Sequence, residues 1–326
     1  MKLELLLHNN KDNNSYNLSY IADKITVKKS VDGTAGQLTC ILHKDPNQKL
    51  NSIDKVGTGS AISFRVDDTN VFFGYIFKIG TDAEENYKIT CYDSLRYLKN
   101  TNVYTFKTET ASQIFEKVCQ DFDLKYEVKT PISYIPPANQ YLNKTLYQII
   151  ETGLQLASIN DKVLYYIIDD YGTIKLSNYK YEGEQLSIQL GDMSVVNSFT
   201  YEKSIDEDTY NQVKLYRKNN TSGNIDTWIV FDSDKIKQWG ILQLFEQVND
   251  KLNPAQIKEK AEQYLSVKNR ETETLKIQAE GILECTAGKR LRFIYNKEGI
   301  NKWMWIKSST HTFTKEEHIM DLEVAI

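Results

Sequence analysis

The chain has 326 residues, with 40 Lys and Arg against 44 Asp and Glu, and a formal net charge of −4. That length accommodates two or three domains with sizeable cores, and a slightly acidic chain with no dense Lys/Arg run argues against a nucleic-acid-binding surface. Tyrosine is abundant at 21, proline scarce at five and glycine modest at 15, a balance that suits half-exposed strands and contact surfaces.

Residues 1 to about 98 read as strands and turns. Ile62, Phe64 and Val66 alternate with Ser63 and Arg65, Asp67-Asp68-Thr69-Asn70 supplies a turn, and a partner strand runs from Val71 to Ile79. Tyr87, Ile89 and Cys91 form a further strand that leads into a short helical turn over Asp93 to Leu98. The pattern then changes. Thr110 with Gln113 and Thr145 with Gln148 each fit a capping box, and Ile114, Phe115, Val118 and Phe122, like Leu146, Ile149, Ile150 and Leu154, recur at helical spacing. Two amphipathic helices are therefore expected, separated by a loop holding Pro131, Pro136 and Pro137. Asp170-Tyr171-Gly172 between Val163–Ile168 and Thr173–Leu176 reads as a hairpin, so residues 100 to 190 form a small α+β module.

Strands return at Val195–Tyr201, Tyr210–Arg217 and Trp228–Phe231, with a turn-rich loop over Asn219 to Asn224. Asn253 as N-cap and Pro254 at the first helical position open a helix over about 253–267, with Ile257, Ala261, Tyr264 and Leu265 on one face. From Thr274 onward the chain is a meander. Leu275, Ile277 and Ala279 alternate with charged and polar residues, as do Leu291, Phe293 and Tyr295; Trp303 and Trp305 follow, then Met320, Leu322, Val324 and Ile326. The expected class is mainly β (α+β), with strand-rich regions at 1–99 and 191–326 flanking the module.

The sequence shows no catalytic constellation. Gly57-Thr58-Gly59-Ser60 lies between strands without the following helix that would present amides to phosphate, so a turn is expected. Ala287-Gly288-Lys289-Arg290 ends like a P-loop, but Leu283 stands where that motif needs glycine. His311 and His318 flank Glu316 and Glu317, yet their spacing of seven is not that of a helical zinc pair; strand-end histidines bonded locally are expected instead. With His8 and His43 they are the only histidines, which leaves few bases for a Ser or Cys nucleophile, and Cys119 sits mid-helix where no thiolate is stabilised. Asp67-Asp68 and Asp169-Asp170 occupy turns, where Asp is common for backbone reasons. Cys40, Cys91, Cys119 and Cys285 are widely spaced in apolar surroundings and read as buried free thiols. No run of about 18 apolar residues exists to span a membrane, and the start Met1-Lys2-Leu3-Glu4 lacks a signal-peptide core. Folding in the cytoplasm is expected, with no cofactor and no metal. The Trp303-Met304-Trp305 strand could bind sugar or a protein partner, and a core and interface role is the expected one.

Several phrases, in this order, resemble the tail hub family, the baseplate hubs of contractile phage tails, defective prophages and phage-tail-like bacteriocins. They are Tyr92-Asp93-Ser94-Leu95-Arg96-Tyr97-Leu98, the Thr110-Ala111-led helix, Asn143 to Ile150, the Asp170-Tyr171-Gly172 hairpin, Tyr210-Asn211-Gln212-Val213, Asn253-Pro254-Ala255-Gln256, and the closing Gly281, Gly288, His311, His318 and Met320. The resemblance spans most of the chain beyond residue 60. It implies two tail-tube-like β-barrel domains, at 1–99 and 191–326, with the α+β module at 100–190 inserted between them. It implies a homotrimer whose six barrels match a hexameric tail tube protein on one face and a trimeric central spike protein on the other. Other baseplate proteins and a tape-measure protein are implied neighbours, without specific nucleic-acid binding. The protein would be assembled in the cytoplasm and then form part of a tail or tail-like particle. Trp303, Trp305, His311 and His318 are its candidate interface residues. A cell-surface or glycan-binding module and a degenerate peptidoglycan hydrolase of the tail tip are the alternatives from other classes.

Overall fold

The opening strands follow the alternation in the sequence: inward residues are apolar and their neighbours face outward. A computed structural model of the protein describes residues 1–44, 56–84, 86–178, 185–191, 196–206, 208–218, 224–248 and 252–325. The expected residues Val195, Asn219 to Gly223 and Ile326 lie outside them. Strands β1 (Leu3–His8), β2 (Ser15–Asn17), β3 (Ala22–Ser30), β4 (Gln37–Leu42), β5 (Ala61–Val66), β6 (Thr69–Thr81) and β7 (Tyr87–Tyr92) come first. The β5–β6 turn is tighter than expected, because Thr69 and Asn70 already pair with Val66 and Arg65. Asp67 and Asp68 carry the turn alone, at φ 45° and 68°. Two successive left-handed residues give the mirror-image turn that matches strand twist, and Asp tolerates that conformation better than most residues. Gly57 and Gly59, both at positive φ, form the expected turn before β5.

The module follows. Its elements are β8 (Thr101–Phe106), α1 (Ala111–Asp121), β9 (Tyr126–Val128), β10 (Asn139–Thr145), α2 (Leu146–Asp161), β11 (Tyr165–Asp170) and β12 (Thr173–Asn178). Both capping boxes close: Gln113 N donates to Thr110 Oγ1 at 3.2 Å and Thr110 N to Gln113 Oε1 at 2.8 Å, with the same exchange at 3.1 Å between Thr145 and Gln148. Ile114, Phe115 and Val118 meet Leu146, Ile149 and Ile150 in one core over Ile167, Ile174 and Leu176. The pairs β8–β10 and β9–β12 were not legible in the sequence, because β8 and β10 are mostly exposed and β9 has three residues.

Beyond it come β13 (Gln185–Gly191), β14 (Val196–Ser204), β15 (Gln212–Lys218), β16 (Ile225–Phe231), α3 (Ser233–Trp239), β17 (Gln243–Gln247), α4 (Pro254–Lys268), β18 (Thr272–Glu280), β19 (Arg290–Tyr295), β20 (Ile300–Phe313) and β21 (His318–Ala325). Two compact units result: one of Met1–Ala157, Leu164–Thr200 and Leu275–Ile326, the other of Ser158–Val163 and Tyr201–Thr274.

In the larger unit, strands from both ends of the sequence share one 13-stranded sheet. Its path is β14-β18-β21-β20-β3-β4-β7-β6-β5-β1-β2, with β19 on β20 and β13 on β19. Among the described residues this path does not close on itself. The seam is β20 against β3, Ser308–Phe313 opposite Ile25–Ser30. Phe313 is fully buried there, in T-shaped contact with Phe64 at 5.1 Å, inside the core built by β1 to β7. A bulge near Lys307 shifts the inward set on β20 from Met304 and Ile306 to Ser309, His311 and Phe313.

The smaller unit holds the three-stranded sheet β16-β15-β17. Val213, Leu215 and Val248 pack against Ile257, Ala261 and Tyr264 of α4, whose Asn253–Gln256 capping box closes at 2.9 and 3.0 Å. Helix α3 was not anticipated; Asp232 caps it by accepting from Asp234 N and Lys235 N, both at 3.0 Å.

Candidate functional site

Several residues of the family phrases sit where chain segments cross, while Thr110 and Asn253 cap their own helices. Asp93, buried, caps the 3-10 turn Ser94–Lys99. Its Oδ1 accepts from Leu95 N at 3.1 Å and its Oδ2 from Gly36 N at 2.8 Å, tying the turn to the strand connection before β4. Asp169, also buried, accepts from Ser94 N at 3.2 Å and from Gly172 N at 2.7 Å. The two acids thus join β7, the turn and the β11–β12 hairpin. Burial pushes the Asp93 carboxyl well above the ordinary range and the neighbouring Asp169 charge adds to it; burial raises Asp169 too. Neither acid was singled out as a buried support. The signal was Asp93 after Tyr92 in the quoted phrase, whereas Asp169 looked like any turn residue.

Glycines mark the same crossings, because side chains occupy the space a Cβ would need. At Gly33, φ +79°, that position falls 1.8 Å from the ring of Tyr147, whose hydroxyl donates to Asp32 O at 2.9 Å. At Gly288, φ +87°, it falls 2.9 Å from the Tyr166 hydroxyl, which donates to the Gly288 carbonyl at 3.1 Å.

The C-terminal histidines form a pair. His311 on β20 is 5% exposed, and its Nε2 lies 3.0 Å from the Cys285 carbonyl oxygen. That oxygen only accepts, so Nε2 carries the proton and Nδ1 is an acceptor. His318 Nε2, 3.0 Å from His311 Nδ1, must then be the donor. His318 stacks on Phe313 with centroids 4.1 Å apart and lies over Gly281, whose N donates to the His318 carbonyl at 2.7 Å. Burial lowers the pKa of both rings, that of His318 to about 4 with the help of the His311 charge. Trp303 and Trp305 lie on the other face of β20, opposite Arg292 and Arg290. Trp305 is 8% exposed; Trp303 is half-buried, with the Arg290 guanidinium 6.0 Å from its ring centroid. The structure therefore brings the two histidines together, apart from the tryptophans, and leaves Trp303 and His318 partly accessible.

In the smaller unit Asn211 is fully buried. Its Nδ2 donates to Gly240 O at 2.7 Å and its Oδ1 accepts from Leu242 N at 2.9 Å, which fixes the chain entering β17. This is the role of asparagine in the Tyr210-Asn211-Gln212-Val213 phrase. The sheet face away from α4 is open: Ile225, Ile229, Phe231 and Phe245 are exposed on it, with Tyr216 stacked on Phe245 at 4.8 Å. All four cysteines are free and buried, and burial pushes the thiols of Cys40, Cys119 and Cys285 up to about 12, so none is a poised nucleophile.

The model of the YQBQ-like family matches residues 25–325. The chain belongs to that family. It is 28% identical over 281 residues to YqbQ of Bacillus subtilis (strain 168), covering 85% of this chain and 84% of that one. It is 26% identical over 287 residues to the phage-like element PBSX protein XkdQ of the same organism, covering 87% and 86%. Among solved structures, the 43 kDa tail protein of prophage MuSo2 from Shewanella oneidensis superimposes with a TM-score of 0.72 over 98% of both chains at 15% identity, a likeness of fold. The chain thus shares its fold with a prophage tail protein and its family with a protein of a phage-like element, and the tail-hub resemblance read from the motifs is borne out.

Proposed function

We propose that this chain is the hub subunit of a contractile phage tail or phage-tail-like particle. Three copies form a ring that joins the hexameric tail tube to the trimeric central spike, beside other baseplate proteins and the end of the tape-measure protein. Its work is organisation without turnover. In this reading the strand-rich regions 1–99 and 191–326 each contribute a tube-like, barrel-forming half, and residues 100–190 brace them. The observation that carries the reading is the placement of the family's motif residues. Asp93, Asn211, Gly281, Gly288, His311 and His318 each secure a crossing of the chain, and in none of them does a nucleophile meet a base. A firmly fixed geometry is what a ring subunit needs, since a closed cyclic assembly repeats one contact surface on every copy. Trp303, half-buried beside Arg290, is the candidate contact residue that keeps accessible surface on β20.

Light scattering of the purified protein, alone and mixed with the spike protein encoded beside it, tests this directly. A subunit of 37.7 kDa predicts a trimer of about 113 kDa or a stable larger complex with the spike. A strict monomer at high concentration, indifferent to the spike, would overturn the hub reading.

A further inference from the structure

The three-stranded sheet of the smaller unit has a helix on one face only, although β16 is apolar on both. Side chains opposite each other across a ladder share a face, so the register fixes what the open face presents. Ile229 and Phe245 flank Lys214, Lys218 stands opposite Ile225, and Phe231 stands opposite Gln212. The remaining outward positions are Tyr216, Thr227, Gln243 and Gln247. Two cross-strand bonds hold the polar ones, Gln212 Nε2 to Gln243 Oε1 at 2.7 Å and Tyr216 Oη to Gln247 Oε1 at 3.4 Å. The result is an apolar strip with two lysines and no carboxylate. Lys214 Nζ lies over the Phe245 ring, 5.7 Å from its centroid.

The face under α4 carries the acids. Asp226 accepts from Arg217 at 3.2 Å, and Glu246 accepts from Lys260 Nζ and Tyr264 Oη of α4, both at 3.1 Å. Helix α4 therefore fits its face twice, by an apolar stripe of Ile257, Ala261 and Tyr264 and by a lysine set on an acid. The size agrees as well. Three strands about 4.8 Å apart and seven residues long make a strip about 14 Å by 23 Å, the footprint of one helix of about 15 residues. Helix α4 has 15 residues. A flat contact between globular bodies takes about 800 Å² from each, more than twice that strip.

We propose that the open face of this sheet receives an amphipathic helix of another protein, its apolar stripe flanked by Asp or Glu. Lys214 and Lys218 do there what Glu246 does beneath α4, with the charge reversed. Among the described residues a second copy offers no such helix. The stripes of α1, α2 and α4 are buried in their own cores, and α3 has seven residues and brings Lys235 and Lys237. Two open faces set together would also oppose lysine to lysine. The proposal goes beyond the hub reading and does not rest on it.

The test is fluorescence anisotropy with two labelled 15-residue helical peptides, titrated with the full-length protein at low salt. Both carry the same Leu stripe, flanked by Glu in one and by Lys in the other. The Glu peptide is expected to bind at least about threefold more tightly, a preference that fades in about 0.5 M salt. The double variant Lys214→Glu/Lys218→Glu is expected to reverse the preference, and Phe231→Asp to abolish binding of both peptides. If the variants do not fold, the preference of the natural protein and its salt dependence decide. Binding of neither peptide, equal binding of both, or a preference that survives charge reversal would overturn the proposal. Self-association that is lost in Phe231→Asp would give the face to a second copy, and capture by phosphatidylglycerol vesicles in place of the Glu peptide would give it to a membrane; either result overturns the proposal. A protein that stays monomeric and prefers the Glu peptide would fail as a hub and keep this helix site.

Discussion

The 13-stranded sheet of the larger unit and the three-stranded sheet of the smaller unit are built from the same alternation and end in opposite conditions. In the 13-stranded sheet, outward aromatics near the module are half-covered: Phe73 meets Tyr171 at 5.7 Å and fills the space over Gly172, while Tyr75 packs on Tyr97 at 5.9 Å. In the three-stranded sheet one face is closed by α4, while the other leaves Ile225, Phe231 and Phe245 at 61%, 57% and 56% exposure. The difference lies in β16, which is apolar on both faces: Trp228 and Val230 point inward, Ile225, Ile229 and Phe231 outward. Covered faces carry glycine sockets and buried acids that fix a partner segment of the same chain. Among the described residues the open face has no such supports, and large exposed apolar surfaces of this kind mark contacts with other molecules.

That contrast is broken most severely at the seam. Phe313→Ala removes a fully buried ring from the core shared by the two ends of the sequence and should lower the urea-derived stability of the larger unit by about 3–5 kcal/mol. A loss below about 1 kcal/mol would mean that the β3–β20 junction is peripheral to that core. Next comes Asp93→Ala, which strands the Gly36 and Leu95 amides in a buried place and should remove about 2–3 kcal/mol. Asp93→Asn, with one carbonyl oxygen left to accept and no buried charge, should lose clearly less by the same measurement. Smaller again, Asn253→Ala should cost about 1 kcal/mol through the lost cap of α4, read from thermal unfolding of the smaller unit. The smallest effect sharpens the comparison. Phe231→Ala, on the open face, should shift the stability of the isolated protein by no more than about 0.5 kcal/mol, and a loss above 2 kcal/mol would show that this ring is part of the core.

Much of this fold was legible because its helices announce themselves. Thr110, Thr145 and Asn253, each with a glutamine three residues on, form the expected capping boxes, and the helical stripes that follow are the buried ones. Hairpin turns at Asp67-Asp68 and Tyr171-Gly172 were equally plain, since few residues take positive φ in succession. Pairings distant in sequence were not. Nothing in the local pattern of Thr26 or His311 says that β3 and β20 are neighbours, because alternation specifies a face and not a partner strand. The bulge near Lys307 hid the inward phase of β20, so that the core and interface role expected of its tryptophans did not say that Trp305 is the buried one and Trp303 the half-buried one. At the histidines the residues were legible and their bond to each other was not, since it depends on β21 folding back beside β20.

Electron-microscopic class averages of the recombinant protein viewed along its symmetry axis test the hub account most directly. The account predicts a three-fold ring whose inner contour shows six similar lobes, two from each copy. Single particles, two-fold pairs, or a ring whose lobes number three would contradict it.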